Sequence, residues 1–283
     1  MRSRAQALIF GVLLILTVVV TGCGGDGEQV NEMAEAEYVW LTENKTSLDT
    51  LRQELSDLRD QAEMEPAEGD AEEEEGEGEG EGEGEGEGEG EGEGEAGPSI
   101  ADQITQKEQA VLALSEELVQ RVVGYLNDAD PMIEGELPSE RQLEVIRMKS
   151  DEDIVLAGEY IDRGGDYKRA MTIYQDAMKL DPENPKLVTA LAGAEELRFM
   201  TEERLAVVKK GMTEEEVRDV LGPVNLRNIR EYPERNVVAW FYPVDQTGAA
   251  SAVWFRQNRG GEFAVYKTDF EQVKGRDTNP PEN

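Results

Sequence analysis

Gly211-Met212-Thr213-Glu214-Glu215-Glu216-Val217-Arg218-Asp219-Val220-Leu221-Gly222-Pro223 is the stretch from which the fold can be read. Thr213 and Glu216 have capping-box spacing, in which each side chain accepts from the other's backbone N–H at a helix start. Val217, Val220 and Leu221 follow at helical spacing. Gly222 suits a left-handed cap and Pro223 cannot continue a helix, so the element stops there. Strand-like runs come next, at 226–232, 237–243, 251–257 and 262–268. A short helix leading into an antiparallel meander predicts a small α+β domain over 201–276.

Side chains alternate across a strand, so parity sorts these runs into two faces. Trp240, Tyr242, Val253, Phe255, Phe263 and Val265 form the fuller apolar set. They are expected to pack under helices at 204–210 and 214–221. The opposite face then carries Phe241, Trp254 and Tyr266. Three outward aromatics are costly to leave in water, which makes them the candidate partner-binding residues. Helices elsewhere in the chain would cover them equally well.

Gly-Met-Thr, a following Val, Leu221-Gly222 with Pro223, the aromatic strand Trp240-Phe241-Tyr242 and the strand ending in Phe255 together resemble the BamE/SmpA/OmlA family. This is the small lipoprotein of the outer-membrane β-barrel assembly machine. The resemblance covers about a quarter of the chain. It implies a two-helix plus antiparallel-sheet domain and a role in outer-membrane protein assembly or envelope integrity. Gly211 and Gly222 also suit ordinary loop and cap positions in any α+β domain.

Charge is unevenly distributed. The formal net charge is −35, and the 18 acidic residues between Glu63 and Glu95 face no basic one. From 204 to 276 the two signs nearly balance. The acidity thus belongs to a linker, and it argues against nucleic acid, which needs clustered Lys and Arg. Residues 76–95 are ten Gly-Glu pairs. Glycine disfavours helix and the glutamates repel, so the 63–99 linker is expected to be disordered, as a spacer or as solvated filler. A 277–283 tail is expected to be disordered too.

At the amino terminus, Arg2 and Arg4 precede an apolar run from Ala5 to Val20, then Thr21-Gly22-Cys23. That layout predicts a signal peptide over 1–22. Val20-Thr21-Gly22-Cys23 resembles the bacterial lipobox, which implies cleavage between Gly22 and Cys23 and acylation of Cys23, with palmitate among the chains. Two or three acyl chains anchor stably where one does not. The same resemblance implies the outer membrane, since Gly24 stands where an inner-membrane retention signal would place Asp, and the expected location is its periplasmic face.

A flexible tether is expected over 23–37. Leu41, Leu48, Leu55 and Ala62, with Asn44, Leu51 and Leu58, then form a heptad seam over 38–62. It suits a coiled coil, with Asn44 as a register device, or an amphipathic helix packed on another part of the chain. Ile104, Val111, Leu114, Leu118, Val122 and Tyr125 mark one face of a helix over 100–127, able to fold back on 38–62 as an antiparallel hairpin. Asp130-Pro131 ends it, and Ser139 with Gln142 caps a further short helix.

Within the helical region 100–200, residues 151–184 form a 34-residue unit. It reads Ile154, Ala157-Gly158, Ile161, Gly165-Asp166-Tyr167, Ala170, Tyr174, Ala177 and Leu180-Asp181-Pro182. The small residues Gly158, Ala170 and Ala177 let two helices close on each other, and Tyr174 fills the groove. The unit resembles a tetratricopeptide (TPR) repeat, which implies a peptide-binding concave face. Such repeats normally stack in threes or more. A single unit is equally a structural helical hairpin.

No catalytic constellation stands out. The sequence has no histidine, no phosphate loop, no nucleophile elbow and no metal-ligand cluster. The expectation is a non-enzymatic lipoprotein without cofactor or metal. It is held to the membrane by its lipid and binds envelope proteins, among which the family resemblance implies the outer-membrane assembly machinery. A spacer between envelope layers and an envelope hydrolase are the alternatives.

Overall fold

A computed structural model describes residues 27–64 and 98–276. The signal peptide, Gly22, Cys23, nearly all of the acidic linker and the 277–283 tail lie outside the described residues. Those residues carry seven α-helices and one four-stranded antiparallel sheet, an α+β arrangement. They form two compact units that part between Tyr125 and Leu126, inside the region read as one helical stretch.

The first unit is an antiparallel hairpin of α1 (Gly27–Met64) and α2 (Ile100–Gly124). Leu41, Leu48 and Leu55 are buried, as are Leu118, Val122 and Tyr125. Ion pairs between Arg121 and Glu37 (3.2 Å), Lys107 and Glu54, and Arg59 and Glu108 (2.6 Å) run along the hairpin in opposite sequence order. The Arg121 guanidinium also stacks on Trp40 at 3.9 Å. The helix begins eleven residues before the expected 38, inside the segment read as tether. Ala34, one heptad before Leu41, is buried and carries the seam back. Ala62 at the other end is exposed. Asn44 Nδ2 donates to the Trp40 carbonyl of its own helix, so that nitrogen is engaged within α1 and not across the seam.

The second unit opens with α3 (Glu140–Gly164), whose capping box joins Ser139 and Gln142. The expected short helix and the first helix of the 34-residue unit are one element, because no Gly or Pro interrupts 141–157. Gly165, at φ 58°, ends α3 in the left-handed conformation, and Asp166 caps α4 (Tyr167–Ala177) by accepting from the Arg169 N–H at 3.1 Å. Pro185 starts α5 (Pro185–Arg198). Ala157, Ala170, Tyr174 and Ala177 pack with Leu187 and Ala194 in one core. Gly158 is not at the helix contact: an added Cβ there would meet nothing within 4 Å. The contact residue is its neighbour Ala157, fully buried one position, or about 100°, around the helix.

Thr201 caps α6 (Glu202–Leu205), which is shorter than the expected 204–210 helix. Val207-Val208 and Gly211 extend a helix poorly. The predicted Thr213–Glu216 capping box is present at the start of α7 (Glu214–Leu221). The meander follows: β1 (Ile229–Tyr232), β2 (Val237–Pro243), β3 (Ala250–Gln257) and β4 (Phe263–Val273), paired in sequence order. Trp240, Tyr242, Val253, Phe255 and Val265 are buried with Leu205, Val217 and Leu221, and Phe263 packs against them half-buried. The inner face is therefore the one parity assigned.

Helices and sheet domain interlock within this unit. A Cβ on Gly165 would lie 2.4 Å from the Val224 carbonyl carbon, so the α3–α4 turn rests directly on the chain leaving α7. The Arg204 guanidinium donates to the carbonyls of Leu197 (3.2 Å), Phe199 (2.9 Å) and Leu221 (2.8 Å). It thereby satisfies acceptors at the ends of two helices, which have no partner inside the helix.

Candidate functional site

The outward face of the sheet is assembled by register. Ala239 lies opposite Trp254, Phe241 opposite Ala252, and Tyr232 opposite Val237. Ala239 and Ala252 are fully buried although they point away from the helices. They form a low floor, and larger rings around them shield it. Trp254 sits at the hub, with Tyr232 and Phe241 ring centroids each 6.0 Å away. The Phe241 pair is near edge-on at 73°. Such geometry is favourable beyond the area it buries.

A register shift between Trp254 and Phe255 leaves Tyr266 as the extra residue of β4, since Phe255 pairs with Val265 and Trp254 with Lys267. A bulge of this kind re-aims a side chain. The Arg256 guanidinium lies over the Tyr266 ring at 4.2 Å. Asp269 is the polar centre of the face: it accepts from Trp254 Nε1 at 2.9 Å and pairs with Lys267 at 2.7 Å.

Of the three residues singled out by sequence, Phe241 and Trp254 are in direct ring contact, and Tyr266 joins the same face through Arg256. All three rings are half-buried. The helical hairpin does not cover them by its turn, which meets the sheet domain at Gly222–Asn225. Sequence reasoning missed Tyr232, Arg256 and Asp269. Parity applied to 226–232 would have placed Tyr232 once the pairing of Ile229 with Trp240 was known, and that pairing is not local information.

On the inner side, the Tyr242 hydroxyl donates to the Gly222 carbonyl at 3.2 Å. Burial first, and then the neighbouring Tyr167, pushes its pKa far above the ordinary tyrosine range. A phenol so held is a structural donor and not a base. Among the described residues, no group of His, Cys, Asp and Glu could hold a metal ion. Also among them, no helix is long and apolar enough to cross a membrane.

No family model, no curated protein and no solved structure matches this chain.

Proposed function

We propose that this chain is an exported, lipid-anchored protein of the bacterial outer membrane, acting as a non-enzymatic protein-binding scaffold. The lipobox-like Val20-Thr21-Gly22-Cys23 motif supports the anchor. The resemblance of 201–276 to the BamE/SmpA/OmlA family supports a role in outer-membrane protein assembly or envelope integrity, and the 151–184 hairpin resembles a TPR unit. The observation that carries the binding role is the half-open aromatic face of Tyr232, Phe241, Trp254 and Tyr266 on a domain whose other face is already filled. Clustered aromatics with a free surface are the residue types that dominate binding energy at interfaces.

Affinity purification of the full chain from envelope extracts tests this reading, with the Phe241→Ser, Trp254→Ala double variant as control. Assembly-machine subunits that co-purify with the parent and are lost from the folded variant support it. Subunits retained by the variant place the contact elsewhere. For the anchor, Cys23→Ser should leave an uncleaved or soluble protein, read by membrane fractionation. Normal processing and outer-membrane fractionation of that variant would sink the lipoprotein reading.

The length of α1 favours a second reading, a spacer between envelope layers. Its 38 residues extend about 57 Å at 1.5 Å per residue. Co-purified cell-wall material without assembly subunits would select it.

A further inference from the structure

The outward face has a charge that the rest of the chain does not predict. The chain as a whole is −35, and α7 on the inner side carries Glu214, Glu215, Glu216 and Asp219. The register places Arg230, Arg256 and Lys267 on the outer face with a single paired carboxylate, Asp269. Asp269 is already committed to Lys267 and to the Trp254 N–H. Arg230 and Arg256 have no carboxylate partner among the described residues. Arg230 is held instead by the carbonyls of Arg227 (2.6 Å) and Ile229 (3.0 Å). Arg256 is exposed and stacked on Tyr266, which leaves its in-plane N–H donors free. A guanidinium presented in this way matches a carboxylate bidentately.

The aromatic hub lies among these cations. The Trp254 N–H is satisfied by Asp269, so the hub offers a partner ring surface. Anionic bilayers are read by clusters of about four to eight Lys and Arg next to the membrane. Two unpaired arginines set around a slab of rings are too few for that and are of the kind a polypeptide would use.

Resting on the scaffold reading above, we propose that this face docks an acidic polypeptide segment. Its aromatic or aliphatic side chain packs on Trp254, Phe241 and Tyr232, and its neighbouring carboxylates pair with Arg256 and Arg230. The acidic character sets selectivity, and the rings set most of the affinity.

The test is selection of random displayed peptides against the full chain, followed by titration of the selected peptides, made synthetically, against Arg256→Gln and Trp254→Ala. Selected sequences should be rich in Asp and Glu beside Phe, Trp or Leu. Arg256→Gln should weaken binding about tenfold, and added salt should do the same in the parent but much less in the variant. Trp254→Ala should abolish binding. Neutral or basic selected sequences, or indifference to Arg256→Gln, would overturn the acidic preference while a retained Trp254 dependence keeps the site. Indifference to Trp254→Ala would remove the site itself. Failure to select any peptide, with or without Arg256-dependent binding to phosphatidylglycerol vesicles, would also overturn the proposal, and vesicle binding would assign the face to a membrane surface. Arg256→Gln leaves the ring cluster in place, so the charge test survives even if Trp254→Ala unfolds the domain.

Discussion

The two faces of the C-terminal sheet carry similar side chains and have different fates. Inside, Trp240 and Phe255 pack at a ring distance of 4.7 Å and are essentially buried beneath α6 and α7. Outside, Trp254 gathers Tyr232 and Phe241 at 6.0 Å each, yet the rings stay partly in solvent. The inner set is completed by helices from the same chain. Among the described residues, the outer set is built from its own rings, Arg256, Asp269 and a floor of two alanines. Aromatic content therefore does not tell core from surface; what the chain lays over it does.

Phe255→Ala should give the largest effect that separates the faces. Removing a fully buried phenylalanine costs about 3–5 kcal/mol, visible as a large drop in the denaturation midpoint. A loss no greater than that of an outer-face variant would erase the distinction. Ala239→Leu addresses the floor. The site is fully buried on the outer side, and overpacking there should cost about 1–3 kcal/mol and displace the Trp254 ring. An unchanged melt together with unchanged Trp254 fluorescence would show that the rings do not close over Ala239.

Trp254→Ala should be milder, about 1–2 kcal/mol, because it removes two ring pairs and a hydrogen bond from a half-exposed position. Its binding defect should greatly exceed its stability defect. A loss as large as that of Phe255→Ala would mean that the outer face is core.

Tyr242→Phe should be the smallest change at neutral pH, since one hydroxyl bond to Gly222 is lost. Its signature is alkaline. The folded pKa is raised above the unfolded value, so this contribution is complete below about pH 10. It is lost as pH rises from there towards the folded value. Melts of parent and variant at about pH 9 and about pH 11 should converge as this loss appears in the parent alone. Parallel behaviour at both would place the Tyr242 hydroxyl in water.

Local sequence was sufficient for much of this. The Thr213–Glu216 box, the Ser139–Gln142 box, the Gly165 turn and the alternation in β2 and β3 follow from groups close together in the chain, where periodicity and capping act directly. The heptad seam of α1 was legible for the same reason, though not its start at Gly27, because a short helix end is held by tertiary burial, here that of Ala34, more than by local propensity. Gly158 shows the limit of composition: a small residue permits close approach but does not cause it, and the stripe that meets α4 runs through Ala157. Parity also named the sheet face that the helices cover, because one face carries the fuller apolar set. Tertiary structure alone decided two things. It brought Tyr232, Arg256 and Asp269 to Trp254, because strand register and the bulge at Tyr266 are pairings between distant residues. It joined Gly165 to Val224 and Arg204 to Leu221, contacts that carry no local signal because each partner is an ordinary cap, turn or helix residue until the backbones meet.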